Sequence, residues 1–408
     1  MIFTKYLLIG GGLAANQAAK QIRESDPEGT ITLVSEEPYV PYDRPPLSKE
    51  FLRGEKAPKD LYFNPEQYFR DHQIALRLSL AVEGLDPSTK TASLADGSTI
   101  EFEKALLATG GRPIVLNLPG STLPGLQYLR TLEDSAAIGS FAEPGKRAVV
   151  IGAGFIGMEV AASLTQRGVE VTVIEAQPHI WPRFIDASLA GVFQAYCIQK
   201  GITFHTGETV REFLGQDRVS SVLTTSGKNL ACDFVCIGIG IVPNVELAQQ
   251  AGLVVENGIV VNEFLQSSHP DIYAAGDVAN FPDPFFKKRR RVEHWGHAEY
   301  CGQLAGQNMA GAQHPYTLLT YVWSDIFDLH LECAGDETEH DQILLRGRPQ
   351  DMSFTVLHLK EHSLRAYVAI NTGAKDYLSL QRLIKNGQDL SGKEAQLQDL
   401  SIPIKSLL

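Results

Sequence analysis

The sequence predicts an α/β protein in which one parallel-sheet domain is interrupted by a second, with an α+β domain after both. Three observations carry this. An apolar strand, a glycine turn, a helix and a second strand ending in an acid run from Lys5 to Glu36. The same unit returns from Arg147 to Glu175. From about residue 319 the glycine turns give way to strands and a single long helix. The first two are Rossmann-like dinucleotide-binding units, and the third reads as a small antiparallel layer.

In the first unit, KYLLIGGGLAA, the strand Tyr6 to Ile9 runs into Gly10-x-Gly12-x-x-Ala15. Ala14, Ala18 and Ile22 then share one helical face. The next strand, ITLVSE, ends at Glu36, with Glu37 beside it. Glycines let the backbone approach a pyrophosphate, the helix N-terminus faces its charge, and the acid accepts hydrogen bonds from a ribose.

The second unit has the strand Ala148 to Ile151, then Gly152-x-Gly154-x-Ile156-Gly157, then VEVTVIE ending at Glu175. Glycine spacing alone is a weak signal. Two occurrences with correct flanks imply two bound dinucleotides.

Two further segments place the boundaries. EKALLATGGRP, 103–113, is a strand into the turn Ala108-Thr109-Gly110 and reads as the crossover out of the first domain. HPDIYAAGDVAN, 269–280, returns to it, and would set Asp277 on a sugar-alcohol chain. The expected division is 1–112 with 243–318, then 113–242, then 319–408. In the last part, SFTVLHLK and LRAYVAI read as two strands, and YLSLQRLIKNG as a helix ending near Gly387.

Composition excludes other classes. The chain has 408 residues, 44% of them apolar and 21% charged, an ordinary soluble balance. No run of apolar residues is long enough for a membrane span, and the N-terminus lacks a small-residue cleavage site. A net charge of −12 argues against nucleic acid. Five cysteines occur without a Cys-x-x-Cys, which reads as plain thiols in a reducing, cytoplasmic setting with no structural metal. Cys232 and Cys236 are expected on one face of one strand.

The ordered set GGGLAA, PYDRPPLSK, ATGGRP, GAGFIGME, AAGDVA, RVEHW and VWSD resembles the NADH-dependent ferredoxin and rubredoxin reductases that serve oxygenases. It is also similar to the reductase core of apoptosis-inducing factor. The resemblance spans nearly the whole chain. It implies FAD in the first fold, NADH in the second, and a C-terminal domain covering the flavin. It puts Arg44 on the FAD pyrophosphate and Lys49 near flavin N5, paired with Glu159. It also carries Val82, Arg130, Glu293, His294, Trp295 and Trp323 onto the flavin nucleotide, and Gly238, Ile239 and Gly240 onto the nicotinamide half.

Glu175 favours NADH, because a carboxylate accepts the ribose hydroxyl and repels a 2′-phosphate. No arginine follows it until Arg183. The disulfide reductases carry a cysteine pair after the ribose-binding acid, and this chain has none there. Electrons would then leave singly, to a ferredoxin or rubredoxin. KKRRR, 287–291, is a local basic run that could steer an acidic partner. The competing expectations are an oxygen-using NADH oxidase and an NADH-responsive signalling flavoprotein; the expected assembly is a monomer or homodimer.

Overall fold

A computed structural model of the chain describes residues 2–182 and 184–408. It divides into two compact units. One comprises Met1–Asp43, Lys59–Arg112 and Val242–Thr320; the other comprises Arg44–Pro58, Pro113–Ile241 and Tyr321–Leu408. The segment Arg44–Pro58, which the sequence reading leaves inside the first domain, thus packs with the second unit.

In the first unit, Ile74–Arg77, Ile31–Val34, Ile2–Ile9 and Thr99–Leu107 form a parallel layer, extended by Thr91–Leu94 and Val82–Asp86 in antiparallel fashion. Ile272–Ala274 joins Thr99–Leu107 in parallel. Registers align the strand ends: Ile9 lies opposite Val34 and Leu107, and Leu107 opposite Ala274. One edge therefore collects the turns at Gly10, Ala108 and Ala275, where open α/β sheets bind ligands. The helix Leu13–Ser25 buries Ala14, Ala15, Ala18, Ala19 and Ile22. The strand before the first acid ends at Val34, two residues earlier than the sequence suggests, and leaves Glu36 exposed.

In the second unit, the parallel order is Ile202–Thr206, Glu170–Glu175, Arg147–Ile151, Phe234–Ile237 and Leu126–Tyr128. Gly152, Glu175 and Gly238 meet at its carboxyl edge. Residues 321–370 add a five-stranded antiparallel sheet. The helix Ala374–Asn386 follows, ending on left-handed Gly387 as expected.

All five cysteines are buried and unpaired. Cys232 lies before the strand Phe234–Ile237, not in it; between them Asp233 accepts from the Arg147 amide. Cys232 and Cys236 consequently pack in different core clusters, and the shared strand face is not realised. Burial pushes the thiols of Cys197, Cys232 and Cys236 up to about 12. Among the described residues, no helix is long and apolar enough to cross a membrane and no cluster of metal-ligating side chains occurs.

Candidate dinucleotide and electron-transfer site

The first glycine of each turn has no room for a side chain. A Cβ on Gly10, where φ is +125°, would lie 2.2 Å from the Ala108 carbonyl oxygen. In the second unit, a Cβ on Gly152 would lie 2.4 Å from the Gly238 oxygen, and one on Gly157 2.0 Å from the Gly152 oxygen. Gly12 and Gly154 are the N-cap residues of their helices, with no side-chain cap bond. Backbone amides of both helices thus stay available to an anion. This close-approach backbone fits the pyrophosphate of a dinucleotide in each unit.

Around the first turn, Ala14 and Ala15 are buried against it, and Glu36 is exposed. Glu37 accepts from Tyr42. Val82 begins a strand opposite Leu94. Thr109 and Gly110 are held by Asn244, which sequence reasoning missed. The Asn244 side chain donates to the Thr109 carbonyl at 2.9 Å, and its backbone amide donates to that of Gly110 at 2.9 Å. Asp277 sits half-buried in a short 3-10 turn, Gly276–Val278. Glu293 pairs with Arg291 at 2.7 Å, His294 immediately precedes the helix Trp295–Met309 without a side-chain cap bond, and the Trp295 indole donates to Asp43 at 2.7 Å.

In the second unit, Glu175 does more than await a ribose. Its Oε2 accepts from the Ala153 amide at 2.7 Å and its Oε1 from Gln177 at 2.8 Å, so it also ties down the glycine turn. A carboxylate has lone pairs left for a hydroxyl. Ile156 is 47% exposed beside that turn. Gly238 follows its strand, and Ile239 and Gly240 lead out of the sheet. Arg183 lies outside the described residues.

The PYDRPPLSKE segment is built onto the second unit. Pro45 opens a one-turn 3-10 helix, Pro45–Ser48, with Arg44 as its N-cap residue. Arg44 donates to the Arg130 carbonyl. Ser135 donates to the Leu47 carbonyl at 2.6 Å and Ser163 to that of Ser48 at 2.7 Å. Arg167 donates to Leu52 at 2.9 Å. Lys49 is thereby fixed beside Glu159, Nζ to Oε2 at 3.0 Å, with side chains only 9% and 4% exposed.

A buried ion pair is tolerable only when its remaining lone pairs are satisfied. Glu159 meets that condition. Ser48 Oγ donates to Oε2 at 2.5 Å, and Ser324 Oγ donates to Oε1 at 2.6 Å. Neither serine was singled out from the sequence, although both stand in the quoted motifs. Trp323, next to Ser324, stacks near Tyr321 with ring centroids 6.4 Å apart.

The basic run looks different in three dimensions. Arg289–Arg291 is a strand paired with Ala279–Pro282. Arg289 donates to the carbonyls of Val261 and Asn280. Arg290 pairs at 3.1 Å with Asp283, whose side chain is fully buried. Arg290 and Arg291 are tied to Asp283 and Glu293 and are mostly buried, while Arg289 stays exposed, so 287–291 is not one uniform patch. Lys287, at the turn, is exposed.

Comparison with known proteins agrees with this geometry. Residues 4–302 match the pyridine nucleotide-disulphide oxidoreductase model, and residues 321–408 match the reductase C-terminal model. Rhodocoxin reductase of Rhodococcus erythropolis is 34% identical over 98% of this chain and 93% of its own. A rubredoxin-NAD(+) reductase of Pseudomonas putida is 32% identical over 90% of this chain and 95% of its own. Among solved structures, a ferredoxin reductase from Rhodopseudomonas palustris superposes with a TM-score of 0.93 at 34% identity, covering 98% of this chain and 99% of that one. A putidaredoxin reductase in covalent complex with putidaredoxin gives 0.94 at 31% identity, covering 99% and 98%. The chain belongs to the pyridine nucleotide-disulphide oxidoreductase family.

Proposed function

We infer that this protein is an NADH-dependent reductase of a ferredoxin- or rubredoxin-type protein, a cytoplasmic component serving an oxygenase. The observation that carries the reading is the buried Lys49–Glu159 pair, satisfied on both carboxylate oxygens, in a family member without a dithiol beside it. Of the five cysteines, none lies in the segment that holds Lys49. Bound flavin supplies the chemistry, since it accepts electrons in pairs and releases them one at a time.

The chain's own residues bind and orient. In this reading 1–112 with 243–318 holds FAD through Gly10, Gly12, Thr109 and Asp277. Residues 113–242 hold NADH through Gly152, Gly154, Gly157 and Glu175. Residues 319–408 supply Trp323 and Ser324. Lys49 is a fixed positive charge that favours the reduced, more negative state of its neighbour, and it acts more strongly where water is excluded. Glu159 holds that lysine in place through the 3.0 Å ion pair. Positioning of the nicotinamide needs no further acid or base, so no such role is assigned to His294.

The test is an anaerobic assay. Purified holoprotein with NADH should reduce a ferredoxin or rubredoxin much faster than it consumes oxygen in a parallel aerobic control. Rapid oxygen consumption with no reduction of any iron protein would reject the reading.

A further inference from the structure

Each glycine turn has a companion turn beside it, and the two companions match residue for residue. In the first unit the Ala108 amide donates to the Ile9 carbonyl at 2.8 Å; in the second the Gly238 amide donates to that of Ile151 at 2.8 Å. Ala108 and Gly238 present the carbonyl oxygens against which Gly10 and Gly152 close. Two residues later Gly110 and Gly240 both take a positive φ, +60° and +107°. The Gly110 carbonyl accepts from the Asn244 amide at 2.9 Å, and the Gly240 carbonyl from the Ile114 amide at 3.0 Å. The segments 108–114 and 238–244 thus correspond at a constant offset, and Asn244 and Ile114 hold equivalent places.

The side chains at the matched places differ in kind. In the first unit Asn244 spends every polar group it has on the companion turn. Besides its amide, its carbonyl accepts from Thr109 Oγ1 at 2.7 Å, its Nδ2 donates to the Thr109 carbonyl at 2.9 Å, and its Oδ1 accepts from Arg112 at 2.7 Å. Arg112 is braced in turn by Glu246 at 2.7 Å. In the second unit Ile239, Val242 and Ile114 stand where the first has Thr109, Arg112 and Asn244. None of the three has a side-chain donor or acceptor. Four bonds therefore tie Asn244 to 109–112, whereas Ile114 has only its backbone to offer Gly240. Gly240 is also exposed, and Gly110 half-buried. A turn fixed beforehand costs little to order when a ligand binds, and a looser turn takes that cost out of the affinity.

We propose that the Thr109–Asn244 lock makes the first unit the site of a resident dinucleotide, and that the unlocked turn 238–240 makes the second the site of one that exchanges. The inference rests on the reading above that FAD occupies the first unit and NADH the second. It gives that division a physical cause: the flavin stays through many turnovers, while the nicotinamide dinucleotide leaves after each. Asn244 acts through Thr109 and Gly110, so it is a positioning residue.

The test uses purified holoprotein with no electron acceptor. Release of FAD is followed by the rise of free-flavin fluorescence after dilution, and affinity for NAD⁺ by calorimetry. Wild type should keep its flavin on dilution and bind NAD⁺ reversibly; flavin lost as readily as NAD⁺ overturns the proposal. Asn244→Ile copies the second turn onto the first. It should release FAD about tenfold faster or more, the net worth of one to two hydrogen bonds. It should bind NAD⁺ within about twofold of wild type. Thr109→Val is nearly isosteric, removes one bond of the lock and should release FAD about threefold faster; it carries the test should Asn244→Ile not fold. A merely structural asparagine would lower the unfolding midpoint of the flavin-free protein and leave FAD release at the wild-type rate. Unchanged release in the folded variants overturns the proposal, as does an equal loss of FAD and NAD⁺ binding. Weaker NAD⁺ binding with unchanged FAD release overturns it as well, together with the assignment of FAD to the first unit. Inertness toward ferredoxin beside the expected release rates rejects the function proposed above and leaves the lock standing.

Discussion

Ser324 Oγ lies 2.6 Å from Glu159 Oε1, across 165 residues of sequence, and the serine is fully buried. A residue of the C-terminal segment thereby finishes the coordination of the carboxylate that faces Lys49. Ser324→Ala should leave that oxygen without its donor at a cost of about 1–3 kcal/mol. Thermal unfolding checks the stability. The flavin midpoint potential should also fall, because a looser Glu159 holds Lys49 less firmly. A merely structural serine would change the unfolding midpoint and leave the potential alone.

The Lys49–Glu159 pair itself separates stability from function. Glu159→Leu alone strands a buried ammonium and should cost about 3–5 kcal/mol. Adding Lys49→Met removes the stranded charge and should recover much of that loss. Electron transfer should stay low in both. Unfolding midpoints and NADH-driven acceptor reduction, measured on the same preparations, decide the matter; recovered turnover in the double variant would sink the assigned role.

The two glycine turns should fail independently. Gly10→Ala places a methyl 2.2 Å from the Ala108 oxygen and should yield colourless protein. Gly157→Ala, 2.0 Å from the Gly152 oxygen, should keep its yellow colour and bind NADH at least about tenfold more weakly, a loss of ~1.4 kcal/mol. Absorbance of the purified proteins and NADH titration check each.

These turns were legible in the sequence because every group they need is local: a strand, a few glycines, a helix, all within about thirty residues. The same holds for the C-terminal hairpin and for Gly387. Ser48, Ser324 and Asn244 were not legible in their roles, because each acts on a partner more than a hundred residues away. The partners of KKRRR were not legible for a related reason. Charge counted along a string takes no account of the acids and carbonyls brought to it, and Asp283 and Val261 become its partners only after folding.

Glu175→Gln should shift cofactor preference toward NADPH by about tenfold, by removing one charge that repels a 2′-phosphate. Glutamine keeps an acceptor for one of the two amides that Glu175 binds, so the turn is better preserved than with alanine. The ratio of kcat/KM for NADH and NADPH is the measurement. An unchanged ratio would remove Glu175 from the selectivity argument.

Acid should weaken the first unit through His297. It is fully buried, its Nδ1 lies 2.9 Å from the Tyr316 hydroxyl, and burial pulls its pKa down to about 3. An unfolded histidine takes a proton below about pH 6.5. The native one stays neutral until about 3, so its contribution is complete above 6.5 and is lost as pH falls between the two values. The loss is about 1.4 kcal/mol per pH unit in that window. Urea midpoints at pH 7 and pH 4.5 should therefore differ less in His297→Gln than in the wild type.

The chain passes between its two compact units five times, at residues 43, 58, 112, 241 and 320. Neither unit is therefore a contiguous stretch that a ribosome could complete and release to fold by itself. Ser324 emerges only when about four-fifths of the polypeptide has been made. Until then the nascent protein carries Lys49 and Glu159 without their last ligand, and a message truncated near codon 320 would encode the nucleotide-binding machinery with its internal charge pair left unfinished.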